Sequence, residues 1–244
     1  MIRGLILGLQ FFTRIPINKQ IEFNKENLKY SVAFLPLIGL IIGGLGGLFY
    51  IFLSPYNLLV GSFMTLLTTI VLTGGLHIDG LSDTADGFFS NRGKEESLEI
   101  MKDSRIGAFG VLSILVVILF KFILITSISN LPLVLALSFA NSRLSVSYLI
   151  STKKPSKADG LGKLFSESNP RKLVIFGGLI YTIILVILDF KFLLPLAFSL
   201  LMGQYISQIS YKKIGGLTGD VYGAIIEVCE TLSLFVFWGV MVWI

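Results

Sequence analysis

The stretch IGAFGVLSILVVILFKFILITSI, residues 106–128, carries a single charge, Lys121. A helix crossing a bilayer needs about 20 consecutive, mostly apolar residues, and this run meets that length. Comparable runs lie before it, at 31–54 and 58–76, and after it, at 131–150, 173–188, 192–210 and 224–244. The whole chain is 54% hydrophobic and only 14% charged, with a mean hydropathy of +0.83. That balance excludes a soluble domain. The reading is an all-α, polytopic membrane helix bundle of about seven transmembrane helices. Gly39, Gly43, Gly44, Gly46 and Gly47 crowd the first span, where small residues permit close helix packing in lipid. The N-terminal segment MIRGLILGLQFFTRIPI is apolar but short, and Arg3, Arg14 and Pro16 interrupt it. Lacking a small-residue cleavage site, it reads as an interfacial or re-entrant helix rather than a signal peptide. No linker-like composition divides the chain, so residues 1–244 are expected to form a single integral membrane domain.

Lysine and arginine sort by side. The N-terminal region and the polar loops at 77–105, 151–172 and 211–223 hold seventeen of them, whereas the connections at 55–57, 129–130 and 189–191 hold only Lys191. This asymmetry predicts a cytosolic N-terminus, cytosolic polar loops and a C-terminus outside. The net charge of +5 is then mostly topological, with the lipid bilayer as partner and no nucleic acid. The outer connections are too short to carry chemistry, so an active site is expected on the cytosolic face. The lone cysteine, Cys229, excludes an internal disulfide and a thiolate metal cluster. It sits in an apolar helix and reads as a buried structural thiol.

Working back from residue 106, residues 74–107 read GGLHIDGLSDTADGFFSNRGKEESLEIMKDSRIG and hold seven of the fifteen carboxylates. On a helix, Asp79, Asp83 and Asp86 fall at i, i+4 and i+7 and project from one face. Glu99 and Asp103 repeat the i, i+4 relation. Like charges so spaced repel one another, unless cations sit among them, and hard oxygen ligands suit Mg²⁺, Mn²⁺ or Ca²⁺. Glu95 and Glu96, beside Lys94, read instead as a solvated turn. His77, the lone histidine, reads either as a structural hydrogen-bonding residue or as one that supports the metal ligands or binds a substrate phosphate; a histidine-built metal site is excluded by count.

Three further sets interrupt apolar sequence. Asn141, Ser142 and Arg143 lie within a span, where an arginine pairs with a carboxylate or an anionic ligand. Gly160, Gly162 and Lys163, in ADGLGKLFSE, form a weak phosphate-cradle signal. Asp220 and Glu227 share a helix face entering the last span, and Glu230 lies one turn deeper. Carboxylates holding Mg²⁺ beside basic residues suit phosphoryl transfer: the metal neutralises a pyrophosphate, a base takes a hydroxyl proton, and in-line displacement follows.

The pieces LGLQFFTRIPI, FLPLIGLIIG, GGLHIDGLSDTADGFFS, EIMKDSRIGAFG, NSR, GLGKLF and GGLTGDVYGAIIE, in this order, resemble the cobalamin synthase family, also called adenosylcobinamide-GDP ribazoletransferase. The resemblance runs nearly end to end. It implies a Mg²⁺-dependent enzyme of the cell inner membrane that joins adenosylcobinamide-GDP to α-ribazole, or its 5′-phosphate, and releases GMP. On this reading Asp83, Asp86 and Glu99 hold metal. His77, Ser104, Arg105, Asn141, Arg143, Gly160, Gly162, Lys163, Asp220 and Glu227 meet substrate. The segment also partly resembles the CDP-alcohol phosphotransferases, whose paired aspartates Asp83 and Asp86 with Gly87, then Glu99 with Asp103, partly match. No Ala-Arg follows the first pair, however, and the later glycine is missing. By that pattern Asp103 is the general base, with Asp79 the alternative. A lipid phosphatidyltransferase is the alternative enzyme, and a transporter the alternative class; acids gathered at one face and the lack of an inverted repeat speak against transport. The sequence leaves open a second copy of the chain as a homo-oligomeric partner.

Overall fold

A computed structural model describes residues 1–156 and 161–243. Twelve α-helices are placed among the described residues: α1 Ile2–Phe12, α2 Lys25–Ala33, α3 Leu35–Leu53, α4 Leu58–Thr73, α5 Leu76–Phe89, α6 Lys94–Ile100, α7 Ala108–Ser127, α8 Leu131–Thr152, α9 Leu161–Glu167, α10 Arg171–Leu188, α11 Leu193–Ile214 and α12 Gly219–Trp243. Six of them, α3, α7, α8, α10, α11 (with the short turn before it) and α12, are long and apolar enough to cross a membrane singly. The chain is a multi-pass membrane protein with an all-α bundle.

The second expected span, 58–76, ends at Thr73, and the chain then turns into a separate helix, α5. Gly74 and Gly75 adopt φ of +64° and +73°, a left-handed backbone that costs glycine little and other residues much. These two residues turn α5 by 85° from α4. At its start α4 lies against the end of α3, where a Cβ on Gly61 would sit 2.7 Å from Ser54 Cα. At its finish it lies against the segment after α1, where the Arg14 amide donates to the Leu72 carbonyl at 2.7 Å. So α4 traverses the bundle, and α5 lies across its end.

The first expected span, 31–54, also differs at its start. A separate helix, α2, runs to Ala33, and α3 begins at Leu35 with Pro36 in its first turn, where a missing N–H is tolerated. Helix α2 packs on α1, where a Cβ on Gly4 would meet Asn27 O at 2.9 Å, and the end of α1 shares a cavity with the start of α5.

At the centre stands α8, with 83% of its most apolar window buried, against 22% for α7 and 17% for α10. Gly43 and Gly47 bring α3 onto it: added Cβ atoms would sit 2.7 Å from Ala136 Cα and 2.9 Å from Pro132 Cα. Such small-residue seams replace the hydrophobic drive that lipid removes. The outward faces of α7 and α10 keep large apolar side chains exposed, among them Val116 at 64% and Ile187 at 77%, as contact with acyl chains requires.

Candidate active site

The carboxylates meet where glycines let α5 and α12 cross. A Cβ on Gly80 would lie 2.9 Å from Asp220 Cα, and one on Gly223 3.2 Å from His77 Cα. This close approach sets Asp220 of α12 beside Asp79 and Asp83 of α5. A cavity of about 520 Å³ opens there, walled by Asp79, Ser82, Asp83, Lys102, Asp103 and Ser104. Burial first, then the charges of Asp79, Asp220 and Asp86, push Asp83 up to about 6. Acids outnumber cations on these walls, and the cavity is negative.

Asp86 shares the helix face but has a second employment. Its two carboxylate oxygens accept from the backbone N–H groups of Gly107 at 2.7 Å and Gly110 at 2.9 Å. These are donors at the N-terminus of α7, which lack partners within the helix and favour a negative charge. Asp86 therefore anchors α7 to α5. Asp86 also lines a neighbouring cavity of about 310 Å³ with Asp103 and Arg105.

Asp103 is held by Arg105: Nη2 donates to Oδ2 at 2.6 Å and Nε to Oδ1 at 3.0 Å. These bonds lower the Asp103 carboxyl to about 2, which makes it a weak proton acceptor. Glu99 is exposed on α6 and lines neither cavity.

The donors fit a hard divalent cation by kind, being all oxygen. By spacing, no three His, Cys, Asp or Glu among the described residues converge as a finished metal site. Mg²⁺ commonly binds through one or two carboxylates, with waters and substrate phosphates completing its shell. An arrangement of Asp79, Asp83 and Asp86 awaiting phosphate agrees with that habit.

Asp79 also borders a second cavity, of about 350 Å³, walled by Phe11, Phe12, Phe165, Tyr222 and His77. His77 is 3% exposed. Burial, reinforced by the charges of Arg143 and Lys121, holds it well below its ordinary 6.5, so it is neutral.

Three residues expected on substrate lie elsewhere. Arg143 is 1% exposed and pairs with Glu230. Lys121 bridges Glu227 and Glu230, at 2.5 Å each. The side-chain amide of Asn141 is used at both ends, donating to Ser233 Oγ at 3.0 Å and accepting from Tyr181 OH at 2.8 Å. Asn141, Arg143 and Glu227 belong to the bundle core, walling neither large cavity. Burial without water explains this: a charged group in the core must find an opposite charge. Lys163 is engaged 3.8 Å from Glu167, Gly162 lines the aromatic cavity, and Gly160 lies outside the described residues. The buried quartet of Lys121, Arg143, Glu227 and Glu230 had a sequence signal, two cations and two acids within apolar spans. The aromatic walls had none.

Residues 4–238 match the family model of cobalamin-5-phosphate synthase. The chain belongs to that family. Among curated proteins it is 41% identical to an adenosylcobinamide-GDP ribazoletransferase of Treponema denticola over 250 residues, 95% of this chain and 96% of the relative. The enzymes of the same name from Clostridium botulinum (strain Langeland) and Clostridium kluyveri (strain ATCC 8527) are each 37% identical. They cover 97% and 96% of the chain, and 97% and 95% of their own lengths. No solved structure matches the chain. Cobalamin-5-phosphate synthase membership removes the CDP-alcohol phosphotransferase and transporter alternatives from the front rank.

Proposed function

We propose that the chain is an adenosylcobinamide-GDP ribazoletransferase that works at the end of its membrane bundle, residues 1–244 acting as one unit. The observation that carries the reading is the carboxylate-lined cavity between α5, the segment after α6 and α7, in a chain that aligns with these transferases nearly end to end. A ribose hydroxyl of α-ribazole, or of its 5′-phosphate, attacks the phosphorus on the cobinamide side of the pyrophosphate. The bond from that phosphorus to the bridging oxygen breaks, and GMP leaves with the oxygen. The hydroxyl proton passes to a carboxylate.

Asp79 is assigned as that carboxylate. It borders both cavities, whereas Asp103 is held by Arg105. Asp83 and Asp86 would hold Mg²⁺, which supplies neutralisation of the pyrophosphate charge. Ser104 and Lys102 lie on the same cavity wall, placed to meet phosphate oxygens. Asp86, by also anchoring α7, couples the site to the bundle. The bundle sits in the cell inner membrane with this end toward the cytosol, as the distribution of Lys and Arg supports.

The deciding experiment incubates purified protein with adenosylcobinamide-GDP, α-ribazole and Mg²⁺ and follows GMP. Its release must require both α-ribazole and the metal; release without α-ribazole would make the protein a hydrolase. Orientation is tested separately by cysteines at Asn57 and Ser156. An impermeant reagent should reach Asn57 from outside and Ser156 from the cytosol.

A further inference from the structure

The cavity beside the carboxylates differs from them in character. Phe11 and Phe165 meet edge to face with centroids 5.2 Å apart, and Phe12 closes on Phe165 at 5.8 Å. Tyr222 is 7% exposed, and its hydroxyl finds no hydrogen-bond partner among the described residues. A buried hydroxyl without a partner is costly, and a ligand that supplies one relieves the cost. Gly162, on α9, faces the ring of Tyr222 with room to spare: a Cβ there would lie 4.0 Å from Cε2. The volume, about 350 Å³, is in the range of small-molecule sites, which combine apolar walls with a few placed polar groups.

Resting on the transferase reading above, we propose that this aromatic cavity seats the base of the acceptor nucleoside, a flat benzimidazole carried on ribose. Stacking against the phenylalanines needs an arene with an apolar edge. Guanine, the other aromatic ring in the reaction, would set several N–H and C=O groups on the phenylalanine side of the cavity, where nothing answers them. The polar groups, His77, Asp79, Asp220 and Tyr222, lie on the other walls. Location gives the same assignment. Asp79 belongs to the walls of both cavities. A nucleoside with its base among the phenylalanines has its ribose at Asp79, facing the phosphates held by Asp83. The aromatic cavity therefore sets which hydroxyl reaches the reacting phosphorus, and Tyr222 and Gly162 are specificity residues for the acceptor.

The test uses full-length protein in detergent micelles. Gly162→Leu places a side chain in the cavity without touching a carboxylate. It should raise KM for α-ribazole by about tenfold or more and leave KM for adenosylcobinamide-GDP within about twofold. Binding of α-ribazole alone, by equilibrium dialysis, should be saturable in the wild type, weakened in Gly162→Leu and in Tyr222→Phe, and not displaced by GMP. Displacement by GMP, or a rise in KM for adenosylcobinamide-GDP instead, would assign the cavity to the donor and overturn the proposal. Unchanged constants in both variants would overturn it as well. If Gly162→Leu does not fold, Tyr222→Phe and the GMP competition decide alone. Should the wild type release no GMP from the two substrates, the transferase reading fails, while dialysis still reports on the cavity.

Discussion

Two groups of charges, one in the core and one at the end of the bundle, have opposite fates. In the bundle core Lys121 and Arg143 face Glu227 and Glu230, two against two, none more than 5% exposed. At the end of the bundle Asp79, Asp83 and Asp86 share one face of α5, and Asp220 of α12 adds a further acid to that side. Inside the bundle, where burial makes an uncompensated charge very costly, charge is present only in balance. At the water-facing end an excess of one sign persists, because solvent screens it. The core group fixes helices; the end group has affinity left over for something else. One helix serves both, since α7 is held at its N-terminus by Asp86 and in its middle by Lys121.

The largest effect expected from this contrast is in the core. Arg143→Ala leaves Glu230 short of a partner, and breaking a buried pair costs about 3–5 kcal/mol. Thermal unfolding in detergent should show this as a large loss of stability. The double replacement Arg143→Met with Glu230→Met removes both charges together and should recover most of the loss. An Arg143→Ala protein of unchanged melting temperature, but with a higher KM for adenosylcobinamide-GDP, would move Arg143 from the core group to the substrate.

The end group should respond in the opposite sense. Asp79→Asn is expected to lower kcat by ~10²–10⁴, the usual range for a lost general base, with the melting temperature unchanged. Asp103→Asn should cost less, because Arg105 already occupies that carboxylate. The two kcat values, measured side by side at saturating Mg²⁺, rank the candidates. A deeper loss in Asp103→Asn would return the base to Asp103.

Asp86 stands between the groups, and its substitutions separate its two employments. Asp86→Ala removes both acceptors at the start of α7 and should cost about 1 kcal/mol, as a lost helix cap does. Asp86→Asn keeps one acceptor oxygen but sets its NH₂ against the other N–H, so it should retain only part of that stability while losing activity if the charge holds metal. Equal stability in both variants would show that the bonds to Gly107 and Gly110 do not anchor α7.

The features legible in sequence are those that depend on local properties. The spans and the face shared by Asp79, Asp83 and Asp86 depend on length, oiliness and a 3.6-residue period. The start of α3 was misplaced because Ser31, Val32 and Ala33 are no less span-like than the first turns of α3 itself, and only the chain turn at Phe34 separates them. The partners of Arg143 were not legible. Glu230 lies 87 positions further on, and only the packing of α8 against α12 pairs the two. Composition says that an intramembrane arginine needs an anion and is silent on which one. Likewise, twenty phenylalanines gave no reason to select Phe11, Phe12 and Phe165. The crossing of α5 and α12 at Gly80 and Gly223 is what brought Asp220 to the site.

The smallest effect is also the one that most directly reports the charge imbalance. Asp83 ordinarily would titrate at 3.8 and is pushed up to about 6 in the folded protein. Folded protein thus holds the Asp83 proton more tightly than unfolded chain. Between these two values the native state carries more protons, so stability falls as pH rises through the window and levels off above about 6. Asp83 is only partly buried, and solvent screening leaves less than about 1 kcal/mol of the effect, a melting shift of roughly 2–4 °C at most. Asp83→Asn should flatten the curve between pH 4 and 6, because an amide neither titrates nor repels Asp79. Mg²⁺ should also oppose the slope, since a cation among carboxylates favours their ionised form. Paired melting curves of wild type and Asp83→Asn, with and without Mg²⁺, test both statements. A slope that survives in Asp83→Asn would place its origin in another group, and one that ignores Mg²⁺ would detach the metal from Asp83.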